Sequence, residues 1–194
     1  MNKNINKLIK ETIQDSSSVF QAILDNTDLC KRIHVASDLC IKAYNNKNKL
    51  LFCGNGGSAS DAQHIAAELS GRFYIDRPPL NAQALHVNTS YLTAVANDYG
   101  YNKVYSRMLE AIGKKGDILF TISTSGKSEN ILDAIKKARQ MNVFTVGLTG
   151  IDGGALNDLC DLVINVPSSN TARIQEAHIL IGHIICESIE RALF

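Results

Sequence analysis

The sequence predicts an α/β chain: a three-layer, doubly wound parallel sheet of five strands flanked by helices, with further helices ahead of it. Three observations lead there. From Lys49 onward, short apolar runs alternate with segments of helical periodicity. The apolar runs are continuous, as in strands covered on both faces, and do not alternate polar with apolar. The first 46 residues contain neither Gly nor Pro and place their apolar residues at helical spacing.

Taken in order, Ile5, Leu8, Ile9 and Ile13 make one amphipathic stripe, and Leu29, Ile33, Ala36, Leu39, Cys40 and Ala43 make a second. These two helices either cover the sheet or supply a subunit interface. Strand-like runs follow near Leu50–Cys53, Ala82–Val87, Asp117–Ile122, Val143–Leu148 and Asp161–Val166. Helical segments fall between them, near Ser58–Ser70, Thr89–Asp98, Lys103–Ile112, Ser128–Met141 and around Leu156. A long helix from about Thr171 to Leu193 ends the pattern. In open parallel sheets ligands bind beyond the C-terminal ends of the strands, which points to the loops after Cys53, Ile122 and Leu148.

Composition bounds the partners. With 20 basic and 19 acidic residues dispersed along 194, the formal charge is +1, and no basic block points to nucleic acid or an anionic membrane. An anionic substrate must therefore be held by local donors. The five cysteines, Cys30, Cys40, Cys53, Cys160 and Cys186, are odd in number and contain no C-x-x-C pair. That pattern suits reduced thiols in a cytoplasmic protein. The N-terminus is too polar for a signal peptide, and no apolar run is long enough to span a bilayer.

Two loops carry the chemistry. Cys53-Gly-Asn-Gly-Gly-Ser58 puts a glycine-rich turn between a buried strand and a helix bearing His64 and Glu68, which at i and i+4 share one face. Ser58 or Ser60 is placed to cap that helix, whose free N–H groups attract an anion or a sugar oxygen. Ser123-Thr-Ser-Gly-Lys-Ser128 opens another helix with four hydroxyls in six residues, more than one cap needs and well suited to a phosphate. Neither the Walker A pattern nor G-x-G-x-x-G is present, which argues against a nucleotide. The bland alternatives are a Ser-rich cap, a solvated i,i+4 pair for His64 and Glu68, and a satisfied core histidine for His183 in Ile181-Gly-His-Ile-Ile-Cys186. His86 and His178 read as structural. Arg72 and Arg173 read as partners of a substrate or as surface ion pairs, and Arg77-Pro-Pro as a stiff loop without chemistry.

These two loops, followed by Arg173-Ile-Gln-Glu-Ala-His178, resemble the sugar isomerase (SIS) family and within it the phosphoheptose isomerases. The resemblance extends from the N-terminal helices to the last helix. It implies one SIS domain over residues 1–194, flavodoxin-like in its winding, with 1–46 serving packing or oligomerisation. It further implies a cytoplasmic homotetramer with active sites between subunits. The expected reaction converts sedoheptulose 7-phosphate to D-glycero-D-manno-heptose 7-phosphate, the first step toward ADP-heptose and the heptose of lipopolysaccharide. Carried over by motif, Asn55, Gly56, Gly57, Glu68, Asn97, Asp98 and Gln175 contact substrate, and Ser123, Thr124, Ser125 and Ser128 hold its phosphate. His64, Glu68, Gln175 and His183 bind zinc, one ion per subunit, and Glu68 and His183 are the acid–base pair. Some members carry an acidic residue just before Arg-Ile-Gln-Glu; Ala172 stands there in this chain, so that contact is absent.

An aldose–ketose exchange through an enediol needs a base at carbon and a relay at oxygen, roles that a carboxylate and an imidazole fill. A Glu bound to zinc is a poorer base, which requires a loose metal or use of its second oxygen. Gln175 and His183 are eight residues apart, a rise of roughly 12 Å on a continuous helix. Either that helix is irregular, or the two ligands reach one ion from different chains, the arrangement we expect. The rival class is a non-catalytic relative that binds the replication initiator; relatives of that type lack the carboxylate and the late histidine, both present here. Another sugar-phosphate isomerase or sensor of the same fold is a further alternative.

Overall fold

The computed structural model describes residues 2–194; Met1, within the expected N-terminal helical segment, lies outside them. Two helices, α1 (Asn2–Asp25) and α2 (Thr27–Asn45), precede the sheet. Asn26 separates them, its side chain accepting a hydrogen bond from Leu29 N–H at 3.0 Å and capping α2. Five strands follow: β1 (Leu50–Gly54), β2 (Ala82–Ala84), β3 (Ile118–Ile122), β4 (Phe144–Thr149) and β5 (Leu162–Asn165). Between them run α3 (Gly57–Ser70), α4 (Thr89–Tyr99), α5 (Val104–Ile112), α6 (Glu129–Gln140) and the short α7 (Leu156–Leu159), and α8 (Thr171–Leu193) closes the chain. Every neighbouring pair is parallel, in the order β2-β1-β3-β4-β5. That is the doubly wound, flavodoxin-like arrangement expected. The second strand is shorter than the run Ala82–Val87, since only three residues pair with β1.

Strand alternation divides the core into two layers. Leu50, Phe52, Ile118, Phe120, Ile122, Val146, Leu148 and Ile164 face α1, α2, α3 and α8, with Phe52 and Phe120 stacked at 5.1 Å. Leu51, Cys53, Leu85 and Leu119 face α4 to α7. Cys40, Cys53 and Cys186 are buried small apolar groups whose thiols burial pushes up, so they stay protonated. Among the described residues no helix is long and apolar enough to cross a membrane. Several apolar residues of α1, among them Ile5, Leu8, Ile9 and Ile13, remain exposed.

Two features place the site. In the β1–β3 register Gly54 pairs with Ile122, so the glycine loop and the hydroxyl-rich loop leave the sheet side by side. Helices α3 and α8 run parallel in nearly constant register. A Cβ on Gly57 would meet Gln175 Nε2 at 2.5 Å, and one on Gly182 would meet Ile65 Cδ1 at 2.5 Å. The second contact lets the helices approach closely where His64 and His183 project.

Candidate active site

The glycine loop does not use its serines as expected. Gly56, with φ +57°, stands at the N-cap of α3 and no side chain caps the helix. Ser58 is buried inside the first turn, and Ser60 Oγ only reaches back to Gly56 O at 3.5 Å. The N–H groups of Ser58 and Ala59 turn back to Asn55 O and Gly56 O at 3.1 and 3.0 Å, so of the first turn the Gly57 N–H is left for a ligand. Asn55 is held beside them by Asn130, with amide hydrogen bonds of 2.9 Å in both directions, and Tyr101 Oη reaches Asn55 Oδ1 at 3.4 Å. Tyr105 Oη donates to Gly54 O, tying the loop to the second layer.

Beside it, Ser128 occupies the N-cap of α6 without a side-chain capping bond; its Oγ lies 3.3 Å from Ser123 Oγ instead. Ser125 Oγ accepts from Lys127 N–H at 3.3 Å, and Gly126 turns the chain with φ +63°. A hollow of about 220 Å³ opens there, lined by Thr124, Ser125, Lys127, Ser168 and Thr171, with Asp152 also in its wall. Hydroxyls, a lysine and a helix N-terminus make this an anion cradle. Asn97 and Asp98 end α4 with exposed side chains, hydrogen-bonded to each other at 2.9 Å. They stand just before Tyr101, so α4 reaches the glycine loop through that hydroxyl.

The second assembly lies farther along the helices. His64 Nε2 is 3.1 Å from Glu68 Oε1 and 3.1 Å from His183 Nε2. One ligand atom from each of the three residues lies within 4.8 Å of the others, all from one chain. Two imidazole nitrogens and a carboxylate oxygen at such separations fit the donors of one tetrahedral zinc ion at about 2.0–2.2 Å. Gln175 is not with them. Helix α8 is continuous from Thr171 to Leu193, and the Gln175 amide lies against Gly57 at the loop end. Irregularity of that helix is thereby set aside. Along α3, His64 and Glu68 stand roughly 10 and 16 Å beyond Gly57. Within one chain the His–Glu–His cluster therefore lies well beyond the glycine loop along α3.

Several contributors were not legible in sequence. Phe73 packs on the cluster, its ring centroid 5.5 Å from that of His183. The backbone N–H groups of Phe73, Tyr74 and Ile75 all donate to the buried carboxylate of Glu190, at 3.4, 2.8 and 3.2 Å. Arg77, expected to carry no chemistry, is a buried clamp. It bonds Glu190 Oε1 at 2.9 Å and the carbonyls of Glu68 and Leu69 at 3.0 and 2.9 Å. Asp61, one turn before His64, has Oδ2 buried without a partner; burial pushes its carboxyl up to about 6, against the opposing pull of His64. A charged side chain in a Pro-rich loop and an acid one turn from a histidine were the available signals.

His178 is fully buried on α8, its Nε2–H donating to Thr149 O at 3.3 Å, and burial pushes its pKa down to about 4. His86 is likewise lowered by burial. Arg173 pairs with Glu176.

Residues 13–150 match the SIS domain. The chain is 53% identical to phosphoheptose isomerase 2 of Campylobacter jejuni over 99% of this chain and 96% of that one. Among solved structures, phosphoheptose isomerase of Neisseria gonorrhoeae superposes with a TM-score of 0.90 at 39% identity, covering 96% of this chain and 99% of the other. That of Francisella tularensis gives 0.92 at 37%, covering 97% and 98%. With its sheet order, its paired loops and its similarity along nearly the whole length, the chain belongs to the SIS family and, within it, to the phosphoheptose isomerases.

Proposed function

We propose that this isomerase works between chains, the His–Glu–His cluster of one facing the anion cradle of another in a cytoplasmic homotetramer. The reaction is the interconversion of sedoheptulose 7-phosphate and D-glycero-D-manno-heptose 7-phosphate. In this reading it opens the route to ADP-heptose and the heptose of lipopolysaccharide. The single SIS domain spans residues 1–194, and the exposed apolar stripe of α1 packs against other subunits. The cytoplasmic placement draws support from five free cysteines.

The observation that carries the reading is the convergence of His64, Glu68 and His183 on one point. Ser123, Thr124, Ser125 and Ser128 hold the phosphate at the N-terminus of α6. Asn55, the Gly57 N–H, Asn97 and Asp98 hold the sugar hydroxyls. Glu68 Oε1 faces His64, which leaves Oε2 to take the proton from C1 of the ketose and return it to C2 of the aldose. His183 moves the balancing proton between the oxygens on C1 and C2, so that a neutral enediol lies between the two sugars. His64, Glu68 and His183 would hold zinc, one ion per subunit, with Gln175 of a neighbouring chain as fourth donor. When bound, zinc supplies Lewis-acid polarisation of the substrate carbonyl.

The test is complementation between subunits. Glu68→Gln and Ser125→Glu chains carry different tags, are co-expressed, and mixed oligomers are isolated through both tags. Turnover of sedoheptulose 7-phosphate is followed by NMR. Each parent oligomer is expected to be nearly inactive and the mixed ones to regain activity. Mixed oligomers as inactive as the parents would mean that one chain supplies the whole site. Metal analysis is expected to give about one zinc per wild-type chain and none in His64→Ala.

A further inference from the structure

Asn130 is 3% exposed and sits in the first turn of α6, two residues after Ser128. A buried amide must place its donors and its carbonyl lone pairs, and Asn130 spends one of each on Asn55. Its Oδ1 accepts from Asn55 Nδ2 at 2.9 Å, and its Nδ2 donates to Asn55 Oδ1 at 2.9 Å. Such a reciprocal pair is indifferent to flipping both amides together. A third bond breaks the symmetry: the backbone N–H of Ile131, held by the helix with a bond to Ser128 O at 3.0 Å, is shared with Asn130 Oδ1, also at 3.0 Å. Flipping Asn130 would set its NH₂ against that N–H, so Asn130 is locked, and Asn55 with it. Asn55 Oδ1 then has both acceptor positions engaged, the second by Tyr101 Oη at 3.4 Å. Asn55 Nδ2 keeps one free N–H, on a side chain that remains half-exposed in the glycine loop.

We propose that Asn130 is a positioning residue for the isomerisation. It holds Asn55 so that its remaining amide N–H is offered, as a donor of fixed direction, to an oxygen of the sugar. It also ties the glycine loop to the phosphate loop, since α6 begins where the hydroxyl-rich loop ends. The distance between the phosphate and the sugar hydroxyls is thereby set by a side-chain pair and not by two independently moving loops. The inference rests on the reading of Asn55 as a substrate contact.

The test is a double-mutant cycle on the intact oligomer, with kcat and KM for sedoheptulose 7-phosphate measured by NMR and the melting temperature recorded for each protein. Asn55→Ala and Asn130→Ala are each expected to lower kcat/KM roughly tenfold, mainly through KM, as loss of one directed hydrogen bond does. The double variant is expected to be no worse than either single one, because Asn130 acts through Asn55. Asn130→Asp keeps the size and the acceptor for Ile131 N–H but sets an oxygen against Asn55 Oδ1. It should lose as much activity in the native background and nothing further with Asn55→Ala, which keeps the cycle available if truncation disturbs α6. Losses that multiply to about a hundredfold in the double variant, or a shared fall in melting temperature with kcat/KM unchanged, would overturn the proposal. If Asn55→Ala alone leaves kcat/KM unchanged, the substrate-contact reading itself fails and the proposal falls with it, a result distinct from additivity.

Discussion

The anion cradle and the His–Glu–His cluster are built in opposite ways. The cradle is made of short loop residues, Thr124, Ser125 and Lys127 after β3 with Ser168 and Thr171 at the start of α8, and it lies beside the glycine loop because Gly54 pairs with Ile122. Its donors are backbone N–H groups and short hydroxyls, so little side-chain freedom is lost in forming it. The cluster is made of three long side chains from two helices 119 residues apart, and it exists only because Gly182 lets α8 approach Ile65 of α3. Arg77 and Glu190 then clamp the C-terminal end of that helix pair. A site built from many short loop donors should lose little with any single one, whereas one built from three side chains on two helices depends on each group and on the contact between the helices.

The largest effect should come from the cluster. Glu68→Gln is expected to lower kcat by about 10³-fold with KM changed little, since loss of a general base costs roughly 10²–10⁴; progress curves by NMR give both constants. Comparable values for Glu68→Gln and wild type would remove the base from the mechanism. Next comes the clamp. Arg77→Ala leaves the Glu190 carboxylate buried without its cation and should cost about 3–5 kcal/mol, seen as a melting temperature lower by roughly 10 °C.

The stretch of α8 joining the two ends supplies a pH test. His178 is held neutral, its pKa lowered from 6.5 to about 4 by burial. A lowered folded-state pKa adds stability that is complete above pH 6.5 and lost as pH falls toward 4, on the order of 3 kcal/mol in all. Denaturant unfolding across that window should show the decline, and a His178→Gln variant should show a flatter profile. The smallest effect belongs to the cradle. Ser128→Ala, whose side chain makes no capping bond, should raise KM by about tenfold at most and leave kcat and stability nearly unchanged. A collapse in stability instead would return Ser128 to the role of a helix cap.

Much of this was legible in the sequence because it is local. Continuous apolar runs such as Leu50–Cys53 and the glycine- or serine-rich turns after them depend on backbone conformation and burial, which neighbouring residues dictate. Fine detail was less legible: Ser58 and Ser60 look like caps, yet Gly56 takes the cap and no side chain bonds the first turn of α3. Residues whose partners lie far along the chain were opaque. Arg77 in a Pro-rich loop gave no sign of Glu190, 113 residues away. Nothing in Ser128-Glu-Asn130 announced the paired amide hydrogen bonds to Asn55.

By itself, then, the sequence determined the alternation of strands and helices, the face shared by His64 and Glu68, and the hydroxyl-rich loop that supplies one wall of the anion cradle. Each follows from spacing within one element or one turn. Only the tertiary structure decided that His183 joins His64 and Glu68 while Gln175 stays at the loop end, about 12 Å away. The physical reason is the rigidity of helices. A helix fixes the distance between its own side chains, but the packing of α8 on α3 through Gly182 decides which of them meet another helix.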